Sequence, residues 1–178
     1  FADGGWFILI DLILLDLWIY WWHRASHTVP FLWRFHEVHH LDRFLDVSSA
    51  VRYHFGEVIL SAMARAVLII VMDVPLISVL IFDTIVLAAA GFHHANINLP
   101  EKLEKRMRYF IVTPSHHWVH HHRVRADTDS NYGTVSTVWD RLFGSFSRTP
   151  RTPEMEIGTE GREEQPLLGL IVRPTKSP

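Results

Sequence analysis

The chain has 178 residues, 48% of them hydrophobic, with 13 histidines, no cysteine and a formal net charge of −2. One domain is the natural expectation at this length. Without cysteine there is no disulfide framework, thiolate zinc site or iron–sulfur cluster, so any metal must be held by histidine and carboxylate; the small charge and scattered basic residues give no nucleic-acid signal.

The chain opens on Phe1, with neither a basic leader nor a small-residue cleavage site ahead of the first apolar run. The expectation is no cleaved signal peptide and a further segment upstream. Residues 6–22 (WFILIDLILLDLWIYWW) are apolar except for Asp11 and Asp16, slightly short of the roughly 20 residues that span a bilayer. Trp18, Tyr20, Trp21 and Trp22 crowd the far end, where amphipathic rings settle at a membrane interface. The pattern predicts a membrane helix that emerges near His23.

A second apolar region, 58–92, is broken at Asp73-Val74-Pro75, because proline removes a donor and disfavours helix at the residue before it. It predicts two helices, about 58–72 and 76–92, forming a hairpin that enters and leaves by the same face. Arg24, Arg34, Arg43 and Arg52 lie between the apolar regions and Lys102, Lys105, Arg106, Arg108, Arg123 and Arg125 follow them, while Phe1 to Gly5 and the turn near Asp73 carry none. Lysine and arginine concentrate on the cytoplasmic side, which predicts a cytoplasmic face for every histidine-rich segment. Arg65, alone inside an apolar run, is expected to snorkel or pair. After Ser147 the composition turns to Pro, Thr, Glu and Gly and ends in LLGLIV. The expected division is a membrane-embedded histidine-box domain over 1–147 and a polar tail over 148–178 with one short docking segment.

Histidine recurs as His23-x-x-x-His27, His36-x-x-His39-His40, His93-His94 and His116-His117-x-x-His120-His121-His122. Helical spacings of three and four put side chains on one face, so the longer clusters can each aim two or three imidazoles at one point. His117, His120 and His121 share about 100° of helix surface while His122 points away, which argues against His122 as a ligand and leaves His116 open. One metal needs about four to six donors, whereas His23, His27, His36, His39, His40, His94, His117, His120 and His121 offer nine. Two ions are the economical reading, although imidazole suits iron, zinc, copper and nickel alike. Haem between membrane helices is set aside, since these histidines lie at or beyond the helix ends.

Asp16, Tyr20, His23 and His27 fall on one helical stripe, and Asp83 precedes His94 by the same interval as Asp16 precedes His27. Asp16 is therefore expected to help orient a ligand, directly or through Tyr20 or water, with helix packing as the competing role for both acids. His54 is expected to be an ordinary core or surface residue.

The stretches DLWIYWWHRASH (16–27), PFLWRFHEVHH (30–40), RYHFGE (52–57), FHHAN (92–96), TPSHHWVHHHR (113–123) and DSNYGTVSTVWDRLFGSF (129–146) together resemble the fatty acid hydroxylase superfamily, which includes sterol desaturases and carotenoid hydroxylases. The resemblance implies an all-α, integral membrane helical bundle whose cytoplasmic cap holds two iron ions, with zinc possible in purified protein. By the same resemblance the nine histidines are the ligands, Asp129 and Asn131 belong to a supporting loop, and Trp139, Asp140 and Arg141 to a closing helix. The implied chemistry is O2-dependent hydroxylation or desaturation of a lipid-like substrate such as a fatty acid, sterol or carotenoid.

No GxGxxG follows a strand, so electrons are expected from a partner, a ferredoxin or b-type cytochrome docking at the cap. Two other readings stand beside this one. A zinc hydrolase would use Glu37 as its base, and a non-catalytic subunit of a membrane assembly would keep the fold and use the metal as a staple.

Overall fold

The structure is a computed structural model describing residues 6–176; the Phe1 to Gly5 stretch, expected opposite the histidines, lies outside the described residues. Among the described residues every regular element is helical, and the extended pairing consists of isolated bridges between Ile111 and Ser136 and between His122 and Ile157.

Helix α1 runs Trp6–Thr28 and α2 runs Pro30–His40. The aromatic end of the apolar run marks the expected point of emergence near His23, and the helix itself continues past it through His27. Nothing interrupts the helix until Val29, which is extended (φ −92°, ψ 114°) ahead of Pro30, as the clash with a proline ring requires. Pro30 then opens α2 at a position where its missing N–H has no partner to lose.

After a short 3-10 turn, Val47–Val51, come α3, Phe55–Val71, and α4, Leu76–His94. The hairpin turn falls at Asp73 and Pro75 as its residues predict, with Asp73 at φ 52°. Helix α3 starts ahead of its apolar run because the His54 ring caps it, accepting from the Gly56 N–H at 3.0 Å. The cap region follows: α5 (Glu101–Met107), α6 (Pro114–His120), α7 (Arg125–Thr128), α8 (Val138–Leu142) and α9 (Leu167–Val172).

Two helices, α1 and α4, are long and apolar enough to cross a membrane. A small apolar core of Leu15, Val74, Val79 and Phe82 joins α1 to the hairpin, reinforced where Ser78 donates to Asp11 at 2.6 Å. Outward, Phe7 and Ile10 of α1, Val67 and Ile70 of α3, and Leu80 and Leu87 of α4 stay exposed. Arg65 pairs with Asp83 through two N–H donors at 2.6 and 3.1 Å, tying α3 to α4. A second deeply buried region lies among histidines at the ends of α1 and α4 and along α2 and α6.

Candidate metal centre

Four helices bring the nine histidines into two groups. His23 and His27 from α1, His36 and His40 from α2, and His120 from α6 form one; His39 from α2, His94 from α4, and His117 and His121 from α6 and its C-cap form the other. Within each group one ring nitrogen per residue lies within 4.8 Å of all the others. The groups abut where His40 stacks on His121 at 4.3 Å.

Ring orientation is fixed from behind. Nδ1–H donates to a backbone carbonyl in His23 (Tyr132, 2.8 Å), His39 (Arg52, 3.3 Å), His94 (Ala90, 2.8 Å) and His120 (Ser130, 2.6 Å). In His36 it meets the Glu57 carboxylate at 2.6 Å, and Tyr53 stacks on His39 at 4.5 Å. Such outer partners set the tautomer and aim the other nitrogen.

A carbonyl oxygen can only accept, so in these four rings Nδ1 carries the single proton of a neutral imidazole and Nε2 presents a lone pair. His94 Nε2 nevertheless lies 3.3 Å from His39 Nε2, lone pair against lone pair. His117 Nε2 stands 3.0 Å from both His94 Nε2 and His121 Nε2, and one proton there can serve only one neighbour. In the other group the Nε2 atoms of His23, His27, His36, His40 and His120 are buried with no hydrogen-bond partner.

Protonation does not resolve this. Burial, reinforced by the surrounding imidazoles, holds His39, His40, His117, His120 and His121 well below the usual histidine range. A cation does resolve it, since neutral imidazole is a metal ligand and adjacent donors around an ion with bonds of about 2.1 Å stand about 3 Å apart. The residues present therefore fit a pair of imidazole-bound metal ions.

The loop from Asp129 to Phe146 supports the first group. Asp140 accepts from the Tyr132 and Gly133 N–H groups at 2.7 and 2.9 Å and from the Ser145 hydroxyl at 2.7 Å. Ser145 having given its proton, Tyr20 O–H donates to it at 2.8 Å, which links α1 to the loop whose Tyr132 carbonyl holds His23. A Cβ on Gly133 would meet the Ser136 carbonyl oxygen at 2.4 Å, so only glycine fits. Asn131 takes φ 54°, a conformation asparagine tolerates, and donates to the His116 carbonyl at 3.1 Å. Asp129 reaches His27 at 3.4 Å and is itself held by Arg125.

Several sequence expectations meet a different partner. Asp16 does not bond a histidine; it accepts from the Trp139 indole at 2.8 Å, so it and Trp139 join α1 to α8. Asp83 serves Arg65 in place of the His94 neighbourhood. His122 turns away to Asp127 at 2.7 Å. His116 and His93 are buried beside the groups but belong to neither. His54 caps α3 and binds the Ile171 carbonyl at 2.9 Å. Glu37 is buried against Arg173 at 2.5 Å, with Arg162 at 3.5 Å, and so is not the free base a zinc hydrolase needs. Glu57, the carbonyls behind the rings and Arg173 are missed by sequence reasoning because no spacing relates them to the residues they hold.

A partly open cavity of about 520 Å³ reaches the edge of His27; Trp33, Glu37, Arg123, Arg125 and Arg162 are among its walls.

A chain that is helical throughout its described regular elements and gathers buried imidazoles into two groups defines a histidine-rich candidate metalloprotein. The chain belongs to the fatty acid hydroxylase family, whose model matches residues 8–145. It is 26% identical to an ornithine lipid hydroxylase of Rhizobium tropici, over 94% of this chain and 50% of that protein. With the alkylglycerol monooxygenase of Homo sapiens it shares 31% over 81% of this chain and 31% of the relative, and with the cholesterol 25-hydroxylase of Rattus norvegicus 26% over 86% and 51%. The chain thus spans about half or less of the length of these relatives. No solved structure matches it.

Proposed function

We propose that the chain is a membrane-embedded non-haem di-iron oxygenase that hydroxylates a lipid-like substrate with O2. The carrying observation is the lone-pair contact between His39 and His94, with the unpartnered Nε2 atoms around it. The names of the relatives, two hydroxylases and a monooxygenase, favour hydroxylation over desaturation.

In this reading His23, His27, His36, His40 and His120 hold one iron, and His39, His94, His117 and His121 the other. Bound there, the iron pair supplies activation of O2 toward an unactivated C–H bond. The chain's own work is positional. Glu57 and the backbone carbonyls keep the rings aimed, burial keeps them neutral, and the closely packed cap excludes water from the reacting atoms. Helices α1, α3 and α4 cross or enter the bilayer with the cap on the cytoplasmic side, a reading supported by the arginines and lysines between and after them. Substrate reaches the site from the lipid. A ferredoxin or b-type cytochrome delivers electrons at the cap, over the cavity that reaches His27.

The test is anaerobic preparation in detergent, iron analysis, and O2 consumption with reductant and a lipid extract. Two irons per chain and lipid-dependent O2 consumption are expected. Unchanged product formation under strict anaerobiosis would overturn the oxygenase assignment, and bound iron without O2 consumption would favour a staple role in a membrane assembly.

A further inference from the structure

Helix α9 lies beyond the residues that the family model matches. Its six residues, LLGLIV, carry no charge, and none of them is buried. Leu167 and Leu168 are 73% and 76% exposed, and Ile171 and Val172 are exposed beside them. A water-soluble tail gains nothing from presenting four aliphatic side chains, and contiguous exposed apolar surface of this kind marks an interaction site.

Its position says what it meets. The Ile171 carbonyl accepts from His54 Nε2 at 2.9 Å, and the His54 ring caps α3 at the start of an apolar helix. His54 stacks on Phe55 at 4.4 Å and packs on Phe35 at 5.3 Å, which in turn meets Phe31 at 5.3 Å. Phe55 and Phe31 are themselves 61% and 57% exposed. The Ile171 end of α9 is therefore tied, through His54, to the point where α3 begins and the exposed phenylalanines lie. Charged residues flank the helix, Glu163 and Glu164 before it and Arg173 and Lys176 after it. A short apolar segment with polar flanks, set level with the start of an apolar helix that enters the bilayer in the reading above, suits the headgroup boundary of a bilayer.

We propose that α9 lies in the membrane interface, with Leu167, Leu168, Ile171 and Val172 seated in lipid beside Phe31 and Phe55. The inference rests on the membrane reading of α3 given above. It gives the tail a second attachment, because Arg173, the residue that follows α9, is the one that clamps Glu37 between the histidines of α2. Lipid on one side and α2 on the other hold the strap in place.

The cysteine-free sequence allows single labels. Full-length Leu168→Cys, Val67→Cys and Glu154→Cys variants would each carry a nitroxide and be reconstituted into phosphatidylcholine vesicles. Collisions with O2, which concentrates in lipid, are then compared with those of a water-soluble nickel chelate. At position 168 oxygen should prevail, less strongly than at 67 within α3, while the chelate prevails at 154. Chelate dominance at 168 with oxygen dominance at 67 overturns the interface placement alone. Chelate dominance at both positions overturns the membrane reading beneath it. Shielding of 168 from both reagents, with spin–spin broadening, would assign the face to a second copy and also overturn lipid contact.

Discussion

At the scale of single residues, the site is governed by where each imidazole keeps its proton. Carbonyls behind His23, His39, His94 and His120 hold Nδ1–H and leave Nε2 bare. His36 differs, because its partner is the buried Glu57 carboxylate at 2.6 Å, a closer contact than that of Asp129 with His27 at 3.4 Å. Replacing Glu57 with Ala should lower metal affinity by about 10–100-fold, and Gln, which keeps an acceptor without the charge, should fall between. Chelator competition on the purified protein measures this, and wild-type affinity in the Ala variant would refute the role.

At the scale of elements, two connections outside the helical pattern position the histidines. Gly133 is the tighter. Gly133→Ala drives a methyl into the Ser136 carbonyl, so the loop must shift and the Tyr132 carbonyl leaves His23. Metal content should drop in the first group while the helix content seen by circular dichroism stays close to wild type; full metal occupancy would contradict this. The other connection is Arg173 to Glu37, both nearly inaccessible. Arg173→Met strands a buried carboxylate, a change that costs on the order of 3 kcal/mol, lessened by Arg162 nearby. Adding Glu37→Met should restore most of the lost thermal stability, since a buried pair can be exchanged for apolar groups of similar size. If the double variant is no more stable than the single one, the pairing does not govern stability.

At the scale of the whole molecule, the buried imidazoles make the metal-free chain acid-sensitive. His39, His40, His117, His120 and His121 sit well below their ordinary value of 6.5 in the folded cap and at that value when unfolded. Below that value the unfolded chain takes up protons that the folded one refuses. Stability is thus complete above pH 6.5 and is lost as pH falls through and beneath it. Thermal melts of the metal-free protein in detergent should drop steeply between about pH 7 and about pH 5, and a flat profile would contradict the neutral-ring description.

Sequence and structure part company along one line. Features with a local period are legible: the apolar hairpin broken at Pro75, and the α6 face that presents His117, His120 and His121 but not His122. The run of α1 past its aromatics agrees with the stripe of Asp16, Tyr20, His23 and His27, and its end follows from Pro30. Partners far apart in the chain, such as His36 with Glu57, Glu37 with Arg173 and Asp16 with Trp139, leave no periodic trace. They are chosen by how the helices meet and emerge only in three dimensions.

Helix α6 supplies His120 to one group and His117 and His121 to the other. During synthesis, α1, α2 and the hairpin leave the ribosome first, offering only fragments of each coordination sphere. Both pockets close on the arrival of the same short segment, so under the proposed metal reading loading would be a late and nearly simultaneous event for the two groups.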